Sequence, residues 1–259
     1  MKCYTALDEF SRMDDTVLSL GMFDGVHLAH RDILRHLTQE ARRRDGISVV
    51  ISFTPHPQEA LTGRPFPLIV TQEEKRQLLA ECGVDCWCCL PFTSEFAALS
   101  PEALLELLNA RMRIRHIVLG YNHHFGKGKE GSVQTLRALQ QVYGFGVTEV
   151  PQRSEAGEAV SSIAIRHALQ AGDIAHASRL LGYPFFAFVR PLEKQDAHTW
   201  RAEVPPEKLL PSVPCASGRL GQRRVRIQLL SHKQLALRFE DETPDAEALQ
   251  RQPLYWNSL

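Results

Sequence analysis

Two histidines three residues apart, His27 and His30, follow directly on Gly21-Met22-Phe23-Asp24-Gly25-Val26 in a chain of 259 residues. Val17 to Gly21 reads as a short buried strand, Asp24-Gly25 as a turn, and His27 to Arg44 as a helix whose first turn carries both imidazoles on one face. The free N–H groups and positive dipole end of such a helix point the same way. An anion arriving there would meet backbone donors and two ring nitrogens together, so the chemistry favoured is phosphate binding. A lone pair of this kind also occurs on ordinary helix starts, and the weight therefore rests on the segments that accompany it.

Three such segments follow. Ser52-Phe53-Thr54-Pro55-His56-Pro57 ends the next apolar run, and two prolines leave that loop few conformers, a stiff wall for a flat ring. Gly126 to Gly131 fits G-x-G-x-x-G, with Glu149 placed where a ribose-binding acid would be. Five residues separate Gly120 from Gly126, however, and the strand is a late one, whereas a dinucleotide fingerprint follows its strand directly. The stretch reads instead as a glycine-rich loop with amides and lysines toward a ligand, Asn122 as a polar contact and Phe125 as a stacking or packing group. Val160-Ser161-Ser162-Ile163-Ala164-Ile165-Arg166 places hydroxyls at a helix start and an arginine one turn later. Either serine could cap the helix, or the group could bind phosphate oxygens with Arg166 as a bidentate cation.

The elements that must position these residues alternate. Strand patterns at 17–21, 47–53, 86–90, 117–120 and 147–150 are separated by helical ones near 28–44, 72–82, 101–112 and 132–143, which specifies an α/β fold with a parallel sheet and helices on both faces. Ligands of such folds bind beyond the carboxyl ends of the strands, where the first motif lies. After Pro184 the pattern changes to strand-like runs at 185–189, 200–204, 224–230 and 235–239, a small β-rich domain broken by prolines. The stretch from Glu240 to Ala248 is acidic and expected to be mobile.

Composition narrows the class. Lys plus Arg and Asp plus Glu both total 30, so no basic surplus makes nucleic acid a default partner. No apolar run approaches the roughly 20 residues of a membrane span and the start of the chain carries no secretory pattern, which together point to a cytoplasmic protein. Four of the six cysteines fall between Cys82 and Cys89, but those on a strand alternate between faces and do not converge on one metal. They read as reduced, hydrophobic side chains.

Taken in order, the segments resemble the bacterial bifunctional riboflavin kinase/FMN adenylyltransferase family, also called prokaryotic FAD synthetases, within the nucleotidyltransferase superfamily. Gly21 to His30 is similar to its G-x-F-D-G-V-H-x-G-H, Phe53 to Pro57 to its F-x-P-H-P, Thr71 to Lys75 to its T-x-x-E-K, and Ser161 to Arg166 to its S-S-T-x-I-R. Pro91 to Ser100 and Ala171 to Pro184 also agree, so the resemblance covers about 15–184. It implies a nucleotidyltransferase domain over 1–184 and, over 185–259, a small β-rich domain that is a degenerate relative of the kinase barrel. It further implies transfer of AMP from Mg-ATP to FMN, giving FAD and pyrophosphate, with no protein-built metal site.

By position, the resemblance assigns His27, His30, Asn122 and Arg166 to catalysis. ATP falls to Gly21, Phe23, His27, His30, Ser161, Ser162 and Arg166, and FMN to Phe53, Pro55, His56, Pro57, Asn122 and Phe125. Ala29 stands where the family has glycine, Ile163 where it has threonine, and His123 and His124 where it often has phenylalanine and arginine. The kinase module's glycine-rich P-T-A-N segment has no counterpart, since no glycine occurs from Tyr183 to Ser217. No riboflavin kinase activity is expected. A non-catalytic flavin- or nucleotide-binding relative, and a nucleotidyltransferase with another phosphate acceptor, stay open beside the main reading.

Overall fold

The computed structural model describes every residue except 11–12, 232, 242–244, 246–248, 250–251 and 258–259, so most of the acidic stretch at 240–248, expected to be mobile, lies outside the described residues. The chain groups into two compact units, one of residues 1–66 and 76–153, the other of 67–75 and 154–259. The change of character at Pro184 falls inside the second unit.

In the first unit Lys2–Tyr4 (β1), Met13–Leu20 (β2), Ile47–Thr54 (β3), Cys86–Pro91 (β4), Met112–Gly120 (β5) and Gly146–Val150 (β6) form one parallel sheet ordered β1-β4-β3-β2-β5-β6. Strands covered on both faces must be apolar almost throughout, and Val17, Leu18, Val49, Val50, Ile51, Ile117 and Val118 are fully buried. Leu28–Arg43 (α1) buries Leu34, Leu37, Thr38 and Ala41, the three- and four-residue spacing of one helix face. Leu18, Leu20, Ile51 and Leu119 share a core with Leu104, Leu105 and Leu108 of Pro101–Asn109 (α5) and Leu136 of Val133–Tyr143 (α6).

Two expectations need correction. The helix expected over 101–112 ends at Asn109, because Met112 is drawn fully into the core as the first residue of β5, with Arg113 and Arg115 alternating outward. The loop expected over 53–57 already starts a helix, Pro57–Thr62 (α2). Pro57 takes the first helical position, where its missing N–H costs nothing, and the His56 ring caps the turn by accepting from Gln58 N–H. Cys86 and Cys88 are buried on β4, and burial pushes the Cys88 thiol up to about 12.

The second unit holds a short hairpin, Ser154–Glu155 (β7) with Glu158–Ala159 (β8), and the helices Ser162–Gln170 (α7) and Ile174–Leu181 (α8). Its antiparallel sheet is built from Phe186–Phe188 (β9), Arg190–Lys194 (β10), Thr199–Glu203 (β11), Cys215–Leu220 (β12), Arg223–Ser231 (β13), Gln234–Phe239 (β14) and Pro253–Trp256 (β15), ordered β10-β11-β14-β13-β12-β15-β9. One face carries Trp200, Ala202, Val225, Ile227, Leu235 and Leu237, all buried, and the alternate positions face out.

Segment 67–75 joins this unit through backbone and charge. Leu68 N–H donates to the Glu207 carbonyl at 2.6 Å, and Leu209 N–H returns a bond to the Leu68 carbonyl at 2.7 Å. Gln72–Glu81 (α3) starts with a reciprocal cap, Thr71 Oγ1 accepting from Glu74 N–H and Glu74 Oε2 from Thr71 N–H, which explains the T-x-x-E pattern locally. The same carboxylate accepts from Phe188 N–H at 3.0 Å and from Lys208 Nζ at 2.6 Å. Lys208 also donates to the Ile69 carbonyl, and both charged side chains are fully buried. Among the described residues no helix is long and apolar enough to cross a membrane.

Candidate functional site

From β2 the chain winds outward through β3 and β4, then returns to lay β5 and β6 on the other side of β2. The loops leaving β2 and β5 therefore flank the point where winding reverses, the place where open parallel sheets bind ligands. Gly120, which ends β5, leaves room there for α1, since a Cβ would sit 3.2 Å from Ile33 Cδ1.

The loop after β2 is strained. Phe23, Gly25 and Val26 all have positive φ, and Val26 at φ 38 is a branched residue that on its own avoids this region, at a cost of about 1–3 kcal/mol. This turn delivers His27 as the N-cap of α1. Its Nδ1 accepts from His30 N–H at 3.3 Å, and the two rings stack with centroids 3.6 Å apart. One helix-start amide expected to face an anion is thus already used by His27 itself. That bond assigns the ring proton to Nε2, and burial holds the imidazole neutral by pulling its pKa down to about 4. His27 can accordingly offer a phosphate oxygen a neutral N–H donor. The Phe23 ring is buried against Gly21 and lies 5.0 Å from the His30 ring, so it backs the histidine pair.

Around the end of β3, Phe53 packs with Phe92 and Phe96 at 5.7 and 5.0 Å, Pro55 is exposed after a cis Thr54–Pro55 bond, and His56 stacks on Phe66 at 4.0 Å ahead of Pro57. The loop after β5 exposes Asn122, whose carbonyl lies 2.9 Å from His124 Nδ1. Of the two roles open to Phe125, the side chain takes packing: it is 9% exposed within the core, and its backbone is paired both ways with Gly131. Gly131 is required there, since a Cβ would lie 2.7 Å from the Phe125 carbonyl. Lys127 and Lys129 are exposed, and Glu149 is bound to Arg137 at 2.9 Å.

His123 was not among the expected site residues. The residue is half-buried, desolvation of its ring draws the pKa down to about 4, and its buried Nε2 has no hydrogen-bond partner among the described residues. The signal available in the sequence was the paired His123-His124 beside Asn122.

In the second unit Ser161 is the cap of α7, its Oγ accepting from Ala164 N–H at 3.1 Å, and Ser162 is the first helical residue. Arg166, one turn on, donates from Nη1 to the Pro67 carbonyl at 2.5 Å. Ile163 is 67% exposed, so its departure from threonine is a surface change.

A parallel sheet of this order, with a capped histidine pair at its switch point, defines an α/β nucleotidyltransferase-like protein. Residues 10–164 match the family model described as FAD synthetase. The chain is 39% identical over 171 residues to the bifunctional riboflavin kinase/FMN adenylyltransferase of Escherichia coli (strain K12), covering 65% of this chain and 55% of that protein. It is 35% identical over 172 residues to an FAD synthetase of Listeria monocytogenes serovar 1/2a, covering 66% and 70%. A solved structure described as a macrolide-efflux protein from Streptococcus pneumoniae shares the fold at TM-score 0.82 and 21% identity, over 99% of this chain and 90% of that one. The chain belongs to the FAD synthetase family, and it spans about half the length of the bifunctional relatives it matches.

Proposed function

We propose that this chain transfers the AMP group of Mg-ATP to FMN, giving FAD and pyrophosphate. The observation that carries the reading is the His27–His30 pair, stacked at the switch point of a parallel sheet with His27 capping α1 and held neutral by burial, in a family whose members are named FAD synthetases. An FMN phosphate oxygen attacks the α-phosphorus, the bond from that phosphorus to the bridging oxygen of the β-phosphate breaks, and pyrophosphate leaves with the electron pair. No side chain is needed as a nucleophile, so catalysis is positioning and charge stabilisation. Mg²⁺ belongs to the nucleotide substrate.

In this reading His27 Nε2–H and His30 donate to ATP phosphate oxygens as charge moves onto the leaving group. Gly21 and Phe23 shape the turn that holds them, and Asn122 contacts the reacting groups. Ser161 keeps its hydroxyl proton free for a phosphate while its lone pair caps α7, and Ser162 and Arg166 act on the same chemistry. Pro55, His56 and Pro57 form the flavin wall with Phe53 and Phe125 behind it. The sheet of the second unit carries out no riboflavin phosphorylation.

Incubation with FMN, ATP and Mg²⁺, with riboflavin and ATP in parallel, tests both statements by chromatography of the flavins. FAD from FMN alone is the expected result. A folded chain that binds ATP or FMN yet forms no FAD would instead be a binding relative or serve another acceptor.

A further inference from the structure

The outward face of the second unit's sheet carries an arrangement that a sheet does not adopt for its own stability. Arg226 of β13 lies directly opposite Arg238 of β14, and on its other side faces Ser217 of β12. Arg224, two residues along β13, projects from the same face. Like charges directly opposite on neighbouring strands repel. Among the described residues neither Arg224 nor Arg226 has an ion pair or side-chain hydrogen bond to relieve this. Arg238 lends its charge to Asp196, whose carboxyl is held low chiefly by the His198 N–H, but forms no ion pair with it.

These three guanidiniums open onto a cleft of about 730 Å³ that also takes in Ser217, His198 and Asn257. Among the described residues lining it, Glu240 is the one carboxylate, so the balance is cationic although the whole chain is neutral. The volume is that of a small-ligand site. The donors are planar forks suited to two oxygens at once, beside a neutral hydroxyl and amide, which is the donor set of a phosphate site.

We propose that this cleft binds a phosphate-rich anion, a diphosphate or triphosphate group, through Arg224, Arg226 and Arg238. Such a ligand would bridge Arg226 and Arg238 and turn their repulsion into shared attraction. The site lies wholly within the second unit and does not depend on the adenylyl-transfer reading.

The test uses the full chain and inorganic tripolyphosphate. Phenylglyoxal modification followed by mass spectrometry reports each arginine separately, so binding elsewhere is not confused with binding here. Tripolyphosphate should protect Arg224, Arg226 and Arg238 but not Arg35 on α1. Calorimetry should show a binding step weakened about tenfold or more in Arg226→Gln/Arg238→Gln. Without ligand, that variant should melt no lower than the parent, because it removes a repulsive pair. Protection by ATP at lower concentration than tripolyphosphate would support the site with a nucleotide as its source. No protection, equal protection by sulfate at matched ionic strength, or a lower melting temperature in the variant would each overturn the proposal. Protection by a short single-stranded oligonucleotide but not by tripolyphosphate would replace it with a nucleic-acid surface.

Discussion

Replacing Lys208 by methionine keeps most of the side-chain volume and removes the ammonium that faces Glu74. In the native protein Lys208 Nζ donates to Glu74 Oε2 at 2.6 Å and to the Ile69 carbonyl at 2.7 Å, and lies 4.7 Å from the centre of the Phe185 ring. Each charge-assisted hydrogen bond contributes about 1.5–3 kcal/mol, and stranding one member of a fully buried pair costs about 3–5 kcal/mol. Lys208→Met should therefore lower the melting temperature by roughly 6–20 °C. Glu74→Gln alone strands the ammonium and should also destabilise. The double variant removes both charges, so it should be more stable than Lys208→Met despite carrying an extra substitution. Thermal and urea unfolding of all four proteins give the coupling energy. If the two single effects simply add to within about 0.5 kcal/mol, the argument from a mutually dependent buried pair is wrong.

His27 titrates at about 4 when folded against 6.5 when free, so the unfolded chain takes up its proton first as pH falls. About 3 kcal/mol of stability should be lost between pH 6.5 and about 4, and urea unfolding across that range should show a shallower dependence in His27→Gln. His30→Ala should keep the fold and lower FAD formation about 10²–10³-fold, and unchanged turnover in a steady-state assay would remove His30 from the mechanism. Gly146→Ala would drive a methyl group into the His116 ring, which is fixed by Thr148 Oγ1 at 2.8 Å and Arg44 at 3.2 Å. A loss of about 1–3 kcal/mol in denaturant unfolding is expected, and a neutral result would show that the ring can move aside.

The parallel sheet could be read from the chain because β2, β3 and β4 are covered on both faces and so spell nearly continuous apolar runs. β1 was missed because three edge residues, two exposed and one half-buried, are too few to carry a period. β12 was missed because Ser217 and Gly218 interrupt its alternation, and β15 because it opens on Pro253. The histidine pair was legible as spacing, but that His27 would spend Nδ1 on the amide of His30 depends on a turn with three positive φ values, which no residue count reveals. Nothing local marks segment 67–75 as belonging with 154–259, since its partners Glu207, Lys208 and Leu209 are far along the chain. The family resemblance, carried by several short motifs in order, reached the functional reading before the physics of any one motif could.

Glu74 and Lys208 are 134 residues apart. At a synthesis rate of about 5–20 residues per second, the carboxylate at the start of α3 leaves the ribosome roughly 7–27 s before its ammonium exists. During that interval Glu74 waits for its ammonium, although Arg166 and Phe188, which also bond to segment 67–75, are made earlier, and strands β2 and β3 can already begin to pair. The growing chain must therefore keep the Glu74 carboxylate hydrated until position 208 emerges. A stalled or nonsense-truncated product ending just before Lys208 would keep that carboxylate without its ammonium, a defect more than a hundred residues upstream of the break.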